Sequence, residues 1–318
     1  MKETILLTGA GGFVGRYAEW YFLKEGFRVK SIIRTESLNP YLEAEPNLKQ
    51  NLSQEILEIK PDTDWKTTLR DVHFIIHLAG KAHNLKDVEL RPYLEINAEA
   101  SRQLALEAAR QQIKHFIYLS TALVHGKTGS DSPFQEDSPL LPYNSYSLSK
   151  IEGENYIKEI SQNENLPYTI LRPPLIYGPY AKANFLRLAK IAGMGFPLPF
   201  KNLKNKRSFI FLGNLLSAIH TCLENKESFG KTYLLSDGQD LSTSELLHLL
   251  SESLNKNLVL FPMPLSILKT LFKVIGKSEE YEKISSPYCL DISKIQKDLG
   301  WKAPFSIQEG LGLSVKSL

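Results

Sequence analysis

Apolar positions in roughly the first 125 residues come in short runs, separated by stretches with helical spacing. Thr4–Leu7 and Arg28–Ile33 read as strands. Val72–Leu78 and His115–Ser120 are nearly continuous apolar runs, as strands covered on both faces require. A third strand is expected at Leu57–Ile59. Helices are predicted from Arg16 to Lys24, over a short stretch at Asp64–Leu69, and over 92–112; residues 35–52 read as a loop or short helix. Such alternation gives a parallel sheet with right-handed crossovers.

The second half is less regular. Helices are expected at Asn144–Asn163, Asn184–Ala192 and Leu215–Leu223, with strands at Tyr168–Arg172, Ser208–Phe211 and Thr232–Leu235. Ser242 with Glu245 three residues on marks a capped helix start. Residues 264–277 spell a basic amphipathic helix. It either covers a small lobe or touches a membrane surface. The predicted fold class is α/β, a Rossmann doubly wound parallel sheet with a smaller interleaved C-terminal α/β lobe. The first part is expected to span 1–172, with later segments returning to it, and the second lobe 173–318.

Ligands of such sheets lie beyond the strand C-terminal ends, so the chemistry should stand just after strands. Thr8-Gly9-Ala10-Gly11-Gly12-Phe13-Val14-Gly15 follows the first strand and opens the first helix. One glycine suits the tight turn, another the close approach of a pyrophosphate, and a third the helix–sheet packing. The helix N-terminus offers free amides to phosphates. Tyr146 and Lys150 stand four apart, on one helix face. A cation beside a phenol favours the phenolate. Ser120-Thr121 ends the preceding strand and offers a hydroxyl to the same substrate oxygen.

Composition narrows the classes. The chain has 318 residues, 42% hydrophobic and 23% charged, with a net charge of +3. No Lys/Arg block suggests a nucleic-acid arm. Cys222 and Cys289 define neither a disulfide framework nor a metal site. No run of 18 apolar residues and no signal-peptide pattern is visible, and a cytoplasmic setting is expected.

These motifs together resemble the extended short-chain dehydrogenase/reductase family of nucleotide-sugar epimerases, dehydratases and reductases. The resemblance covers essentially the whole chain. It implies that Gly9, Gly12, Phe13, Val14 and Gly15 hold the cofactor. His77-Leu78-Ala79-Gly80 matches the segment that lies along it, and Asn97 the Asn of an N-x-x-x-[ST] segment. Lys81 falls next to that segment and is assigned to the substrate. Leu119–Gly126 matches S-[ST]-x-x-V-Y-G, which makes Thr121 the catalytic hydroxyl beside Tyr146 and Lys150. Arg172-Pro173-Pro174-Leu175-Ile176-Tyr177-Gly178-Pro179 matches the loop closing over the nicotinamide, with Pro173 at the cofactor. Asn184 and Arg207 match positions that contact a substrate diphosphate. Asp291 to Trp301 resembles the family's closing signature.

Departures also inform. Ala122-Leu123 stand where 4,6-dehydratases carry Asp-Glu, so elimination of water lacks its carboxyl groups. His125 replaces a Tyr, and Asn214 a common Asp. The second strand ends in Ile33-Arg34. No acid stands there for a ribose 2′-hydroxyl, and Arg34 is available to a 2′-phosphate, so NADP(H) is favoured, with NAD(H) the alternative. The resemblance implies a UDP-sugar substrate and a homodimer. The reaction is expected to be reduction of a UDP-4-keto-6-deoxy-HexNAc. A 4-epimerase with bound NAD is the close alternative, and a non-catalytic NADP sensor the third.

Overall fold

In the computed structural model, residues 3–81, 89–129, 132–181 and 183–316 are described, without the side chains of residues 183 and 184. The apolar runs become β1 (Thr4–Thr8), β2 (Arg28–Ile33), β3 (Leu52–Ile56), β4 (Phe74–His77), β5 (His115–Leu119) and β6 (Tyr168–Arg172). β7 (Leu175–Tyr177), β8 (Phe209–Phe211) and β9 (Lys231–Leu234) follow in the second half. Seven strands form one parallel sheet in the order β3-β2-β1-β4-β5-β6-β9. β9 pairs with β6, so the sheet draws on both sides of the boundary at 172. β7 and β8 form a separate two-stranded parallel sheet.

Alternation along the strands feeds two cores. Ile5, Leu7, Ile76 and Ile117 point to one face. There they meet α1 (Phe13–Lys24), through Ala18 and Phe22, and α7 (Leu212–Glu224), through Leu215 and Ile219. Leu6, Ile75, Phe116 and Tyr118 point to the other face, toward α4 (Ala100–Arg110) and α5 (Ser145–Glu164). Each such fully buried side chain contributes about 1.5–3 kcal/mol. A third core joins β7 and β8 to α6 (Ala183–Gly193), α8 (Thr243–Ser253) and α12 (Ile307–Val315). The remaining helices are α2 (Pro40–Ala44), α3 (Arg91–Leu94), α9 (Leu265–Val274), α10 (Ser278–Ser285) and α11 (Ser293–Leu299).

Several expectations need correction. The third strand lies at Leu52–Ile56, not Leu57–Ile59. It is a half-exposed edge strand with polar residues, so it lacks an apolar run, while Leu57 and Ile59 pack from beyond its end. Asp64–Leu69 forms turns, anchored by buried Trp65 and Leu69. The helix expected over 92–112 is interrupted by a π-helical turn at Glu95–Glu99. The helix expected over 264–277 stops at Val274, before Gly276 in the left-handed region, and α10 follows. Among the described residues no helix is long and apolar enough to cross a membrane.

Candidate active site

Strand order reverses between β1 and β4, so the connections leaving them diverge and open a cleft beyond the strands' C-terminal ends. The cavity there is about 330 Å³. Gly9, Gly12, Phe13, Val14 and Gly15 line one wall, and Leu78, Ala79, Gly80 and Lys81 another. Thr121, Tyr146, Lys150 and Pro173 close it.

The glycine loop is built for close approach. Gly9 has φ +72°, and a Cβ there would stand 2.7 Å from the Ala79 nitrogen. A Cβ on Gly15 would overlap the Gly9 carbonyl. Gly12 caps α1 in extended geometry with no side-chain cap, and the first turn holds no acid. Its first-turn amides are thus left for an anion. A dinucleotide pyrophosphate fits this cradle.

The β4 end is fixed from behind by a hydrogen-bonded chain. The Ala79 amide donates to Thr8 Oγ1 at 3.2 Å, and that hydroxyl meets His77 Nδ1 at 2.7 Å. His77 Nε2 meets Ser101 Oγ at 2.8 Å, and Ser101 donates to the Asn97 carbonyl at 2.9 Å. Burial pushes His77 down to about 3, which keeps it neutral in this relay. Asn97 stands in the π turn and stays behind the wall. Its side chain accepts from the Lys81 amide at 2.7 Å and donates to the Lys81 carbonyl at 3.1 Å and to Ser149 Oγ at 2.9 Å. It therefore joins the cavity wall at Lys81 to α5.

Thr121 caps the short 3-10 turn Ala122–His125, its Oγ1 accepting from the Leu123 amide at 3.2 Å. α5 begins with a reciprocal cap between Asn144 and Ser147, which places Tyr146 in its first turn and Lys150 one turn on. Tyr146 and Thr121 hydroxyls are hydrogen-bonded. Lys150 Nζ lies 3.9 Å from the centroid of the Tyr118 ring. Burial pushes Tyr146 up to about 12, with the Thr121 bond pulling the other way. Burial pulls Lys150 down to about 7, opposed by Glu154. Among the protein's own groups the Thr121 hydroxyl opposes the burial of the phenol, and the expected lowering by the Lys150 cation does not appear. Tyr146 rests as a neutral proton donor beside a lysine that titrates near neutrality.

Arg207 lies apart from this cleft, in a second cavity of about 650 Å³ with Arg187, Lys277 and Lys283. β7 divides the two: Ile176 lines the first and Leu175 the second. Tyr288 connects them. Its hydroxyl donates to the Ala122 carbonyl at 2.6 Å, and the Arg207 guanidinium stands 5.6 Å over its ring. Arg207 Nη1 donates to the Ser286 carbonyl at 2.9 Å. Asn184 falls in α6, but its side chain lies outside the described residues. Arg34 is exposed just past β2, whose Ile32 carbonyl accepts from the Ala10 amide at 3.3 Å, and it is not part of the cavity wall.

Both unexplained departures have partners. His125 Nε2 accepts from Arg172 Nη1 at 3.1 Å, and Nδ1 meets the Pro139 carbonyl at 3.2 Å. Asn214 donates to Asp237 Oδ1 at 2.7 Å and to the Phe305 carbonyl at 2.9 Å, and accepts from the Phe305 amide at 2.9 Å. Sequence reading missed Glu154, which accepts from both Ser120 and Arg172. Its spacing four residues after Lys150 was the available signal.

A parallel Rossmann sheet with a glycine cradle at the switch point and a Thr/Tyr/Lys set facing it defines a dinucleotide-dependent class. Residues 5–235 match the model of the NAD dependent epimerase/dehydratase family, and the chain belongs to that family. A UDP-glucose 4-epimerase of Vibrio cholerae is 34% identical over 316 residues, covering 98% of this chain and 94% of that protein. An N-acetyl-alpha-D-glucosaminyl-diphospho-ditrans,octacis-undecaprenol 4-epimerase of Escherichia coli O157:H7 is 26% identical, with coverage of 98% and 94%. The solved UDP-N-acetylglucosamine 4-epimerase of Methanobrevibacter ruminantium M1, in complex with UDP-N-acetylmuramic acid, has the same fold. Its TM-score is 0.80 at 22% identity, covering 100% of this chain and 98% of that one. The UDP-glucuronic acid 4-epimerase of Bacillus cereus, in complex with NAD, gives 0.77 at 22% identity, with coverage of 99% and 98%.

Proposed function

We propose that this chain is an NAD(P)-dependent nucleotide-sugar oxidoreductase that works at C4 of a UDP-hexose or UDP-HexNAc, as a 4-epimerase. The observation that carries the reading is the meeting of Thr121, Tyr146 and Lys150 in the same cleft as the glycine cradle. The named activity of the relative at 34% identity tips it toward epimerisation over the reduction favoured by the sequence alone. Thr121 and Tyr146 hold the C4 oxygen between two hydroxyls. Tyr146 passes the proton to and from that oxygen, and Lys150 across the turn adjusts the phenol's readiness to release it. When bound, the nicotinamide supplies the hydride exchange and, in its oxidised form, a positive charge that favours the phenolate. Arg207, with Arg187, offers the guanidinium groups for the substrate diphosphate. Ala122 and Leu123 supply no acid for elimination of water, which argues against dehydration.

A second reading, net reduction of a 4-keto sugar, has one observation in its favour. Arg34 stands where an acid would select NAD, beside the Ala10–Ile32 contact of the glycine loop. Two incubations separate the readings. Interconversion of UDP-GlcNAc and UDP-GalNAc, or of UDP-glucose and UDP-galactose, without added cofactor supports epimerisation. Consumption of NADPH with the UDP-4-keto-6-deoxy sugar alone supports reduction, and activity in neither would leave the sensor reading. Arg34→Ala is expected to weaken NADP(H) binding and spare NAD(H); equal losses refute the 2′-phosphate argument. The reading extends to a cytoplasmic homodimer, whose mass in solution is open to light scattering.

A further inference from the structure

α5 carries two of the three assigned reacting side chains, and a third titratable residue lies one turn beyond them. Tyr146, Lys150 and Glu154 follow at intervals of four, which stacks them along one helix face. Glu154 is fully buried. Its Oε1 accepts from Ser120 Oγ at 2.5 Å and from Arg172 Nε at 3.0 Å, and its Oε2 from Arg172 Nη2 at 2.6 Å. Ser120 immediately precedes Thr121, and Arg172 immediately precedes Pro173. Arg172 Nη1 also donates to the Glu136 carbonyl at 3.0 Å. Exchanging a buried ion pair for apolar residues is often neutral for stability. Stability alone therefore gives little reason for this pair, whereas its location gives a strong one.

We propose that Glu154 is the positioning residue of this site: its carboxylate clamps the strand ends carrying Thr121 and Pro173 to the helix that presents Tyr146 and Lys150. The inference rests on the assignment of Thr121, Tyr146 and Lys150 as the reacting set.

The clamp also has an electrostatic side. Lys150 is faced by Tyr146 and Glu154 from α5, by the Tyr118 ring from β5, and by neutral His77 from β4. Of these, Glu154 is the group that opposes the desolvation of the ammonium. Glu154 is faced by Arg172 and Tyr168 from β6, Lys158 on α5, Ser120 and Tyr118 at β5, and His125 from the turn after it. Burial alone would raise its carboxyl, but the Arg172 bonds and charge, with Ser120, hold it below the ordinary value. It therefore stays an anion one turn from Lys150 at every pH where the lysine titrates.

Glu154→Gln keeps the shape and removes the charge. Competitive acetylation of the native protein with acetic anhydride, read by mass spectrometry at Lys150 over a pH series, needs no turnover. The labelling midpoint is expected to fall by at least about half a pH unit relative to the unsubstituted protein, because a favourable charge is lost. An unchanged midpoint overturns the proposal, since a merely structural role would leave it in place. Should that variant fail to fold, Glu154→Asp keeps the charge and withdraws it by one methylene. With UDP-glucose its kcat is then expected to drop at least about tenfold, with KM changed less than about twofold; an unchanged kcat overturns the clamp. Tyr146→Phe, assayed alongside, separates the two ideas. Retained turnover there defeats the reacting-set reading, whereas lost turnover with an unmoved Lys150 midpoint defeats only the role of Glu154.

Discussion

Single residues decide how tightly the glycine loop packs against the cleft. Gly15 has no room for a methyl group, since its Cβ would overlap the Gly9 carbonyl and stand 2.6 Å from the Ala10 Cα. Gly15→Ala is expected to push the loop outward, weakening NAD binding at least about tenfold and lowering stability by about 1–3 kcal/mol. Calorimetric titration and urea melts check both, and unchanged affinity would show the cradle to be looser than its geometry. At Tyr146, loss of the hydroxyl in Tyr146→Phe should nearly abolish turnover while leaving cofactor affinity within about twofold, because the ring still fills its place. Residues of this kind were legible in the sequence. A tight turn demands glycine, and a phenol with a lysine four residues on is a local pattern. Glu154 was not legible as a clamp. Its partners Ser120 and Arg172 are 34 and 18 residues away, so only the folded sheet brings the three together.

Elements were legible where both faces are covered. β4 and β5 are covered on both faces, and their near-continuous apolar runs announce them. β3, at the sheet edge, does not, because Ser53, Gln54 and Glu55 have no need to be apolar there. The π turn was invisible for a different reason. Its cause is tertiary: the Tyr118 hydroxyl donates to the Asn97 carbonyl at 2.9 Å, and Gly153 of α5 lies so close that its Cβ would meet both. The amphipathic helix α9 divides its face. Leu268 is buried and Phe272 lines the second cavity, while Leu271 and Val274 remain exposed. Between elements, Asn214 is the fastening that ties α7 to the segment before α12 and to Asp237. Asn214→Ala would strip the half-buried Phe305 amide and carbonyl of this partner, while Asp237 Oδ1 keeps the Phe211 amide. A loss of about 1–3 kcal/mol is expected, read as a lower urea midpoint. A midpoint within error of the original would show that the fastening is dispensable.

The whole molecule carries its buried histidines uncharged. Burial pushes His77 to about 3 and His115 to about 4, from an ordinary value near 6.5. The unfolded chain therefore binds protons first as pH falls. Stability from these two sites is complete above about 6.5 and is lost progressively toward about 4 and 3, at up to about 1.4 kcal/mol per pH unit for each. The Glu136 and Asp237 carboxyls, raised by burial, push the other way. The two large histidine shifts set the sign. The melting temperature should thus fall between about pH 7 and about pH 5, and a constant or rising value contradicts the neutral relay. At this scale the sequence conveyed the sheet and the family, but not the division of the site into two cavities by β7, which depends on how the second half folds back. A 4-epimerase cleft removes hydride from C4 of a nucleotide sugar and returns it there. Incubating the protein with UDP-glucose and UDP-N-acetylglucosamine, each deuterated at C4, and examining the products by NMR tests this proposal. The C4 epimer of one of them, with deuterium kept at C4, is expected. No epimer from either, or an epimer whose deuterium has exchanged with water, would contradict it.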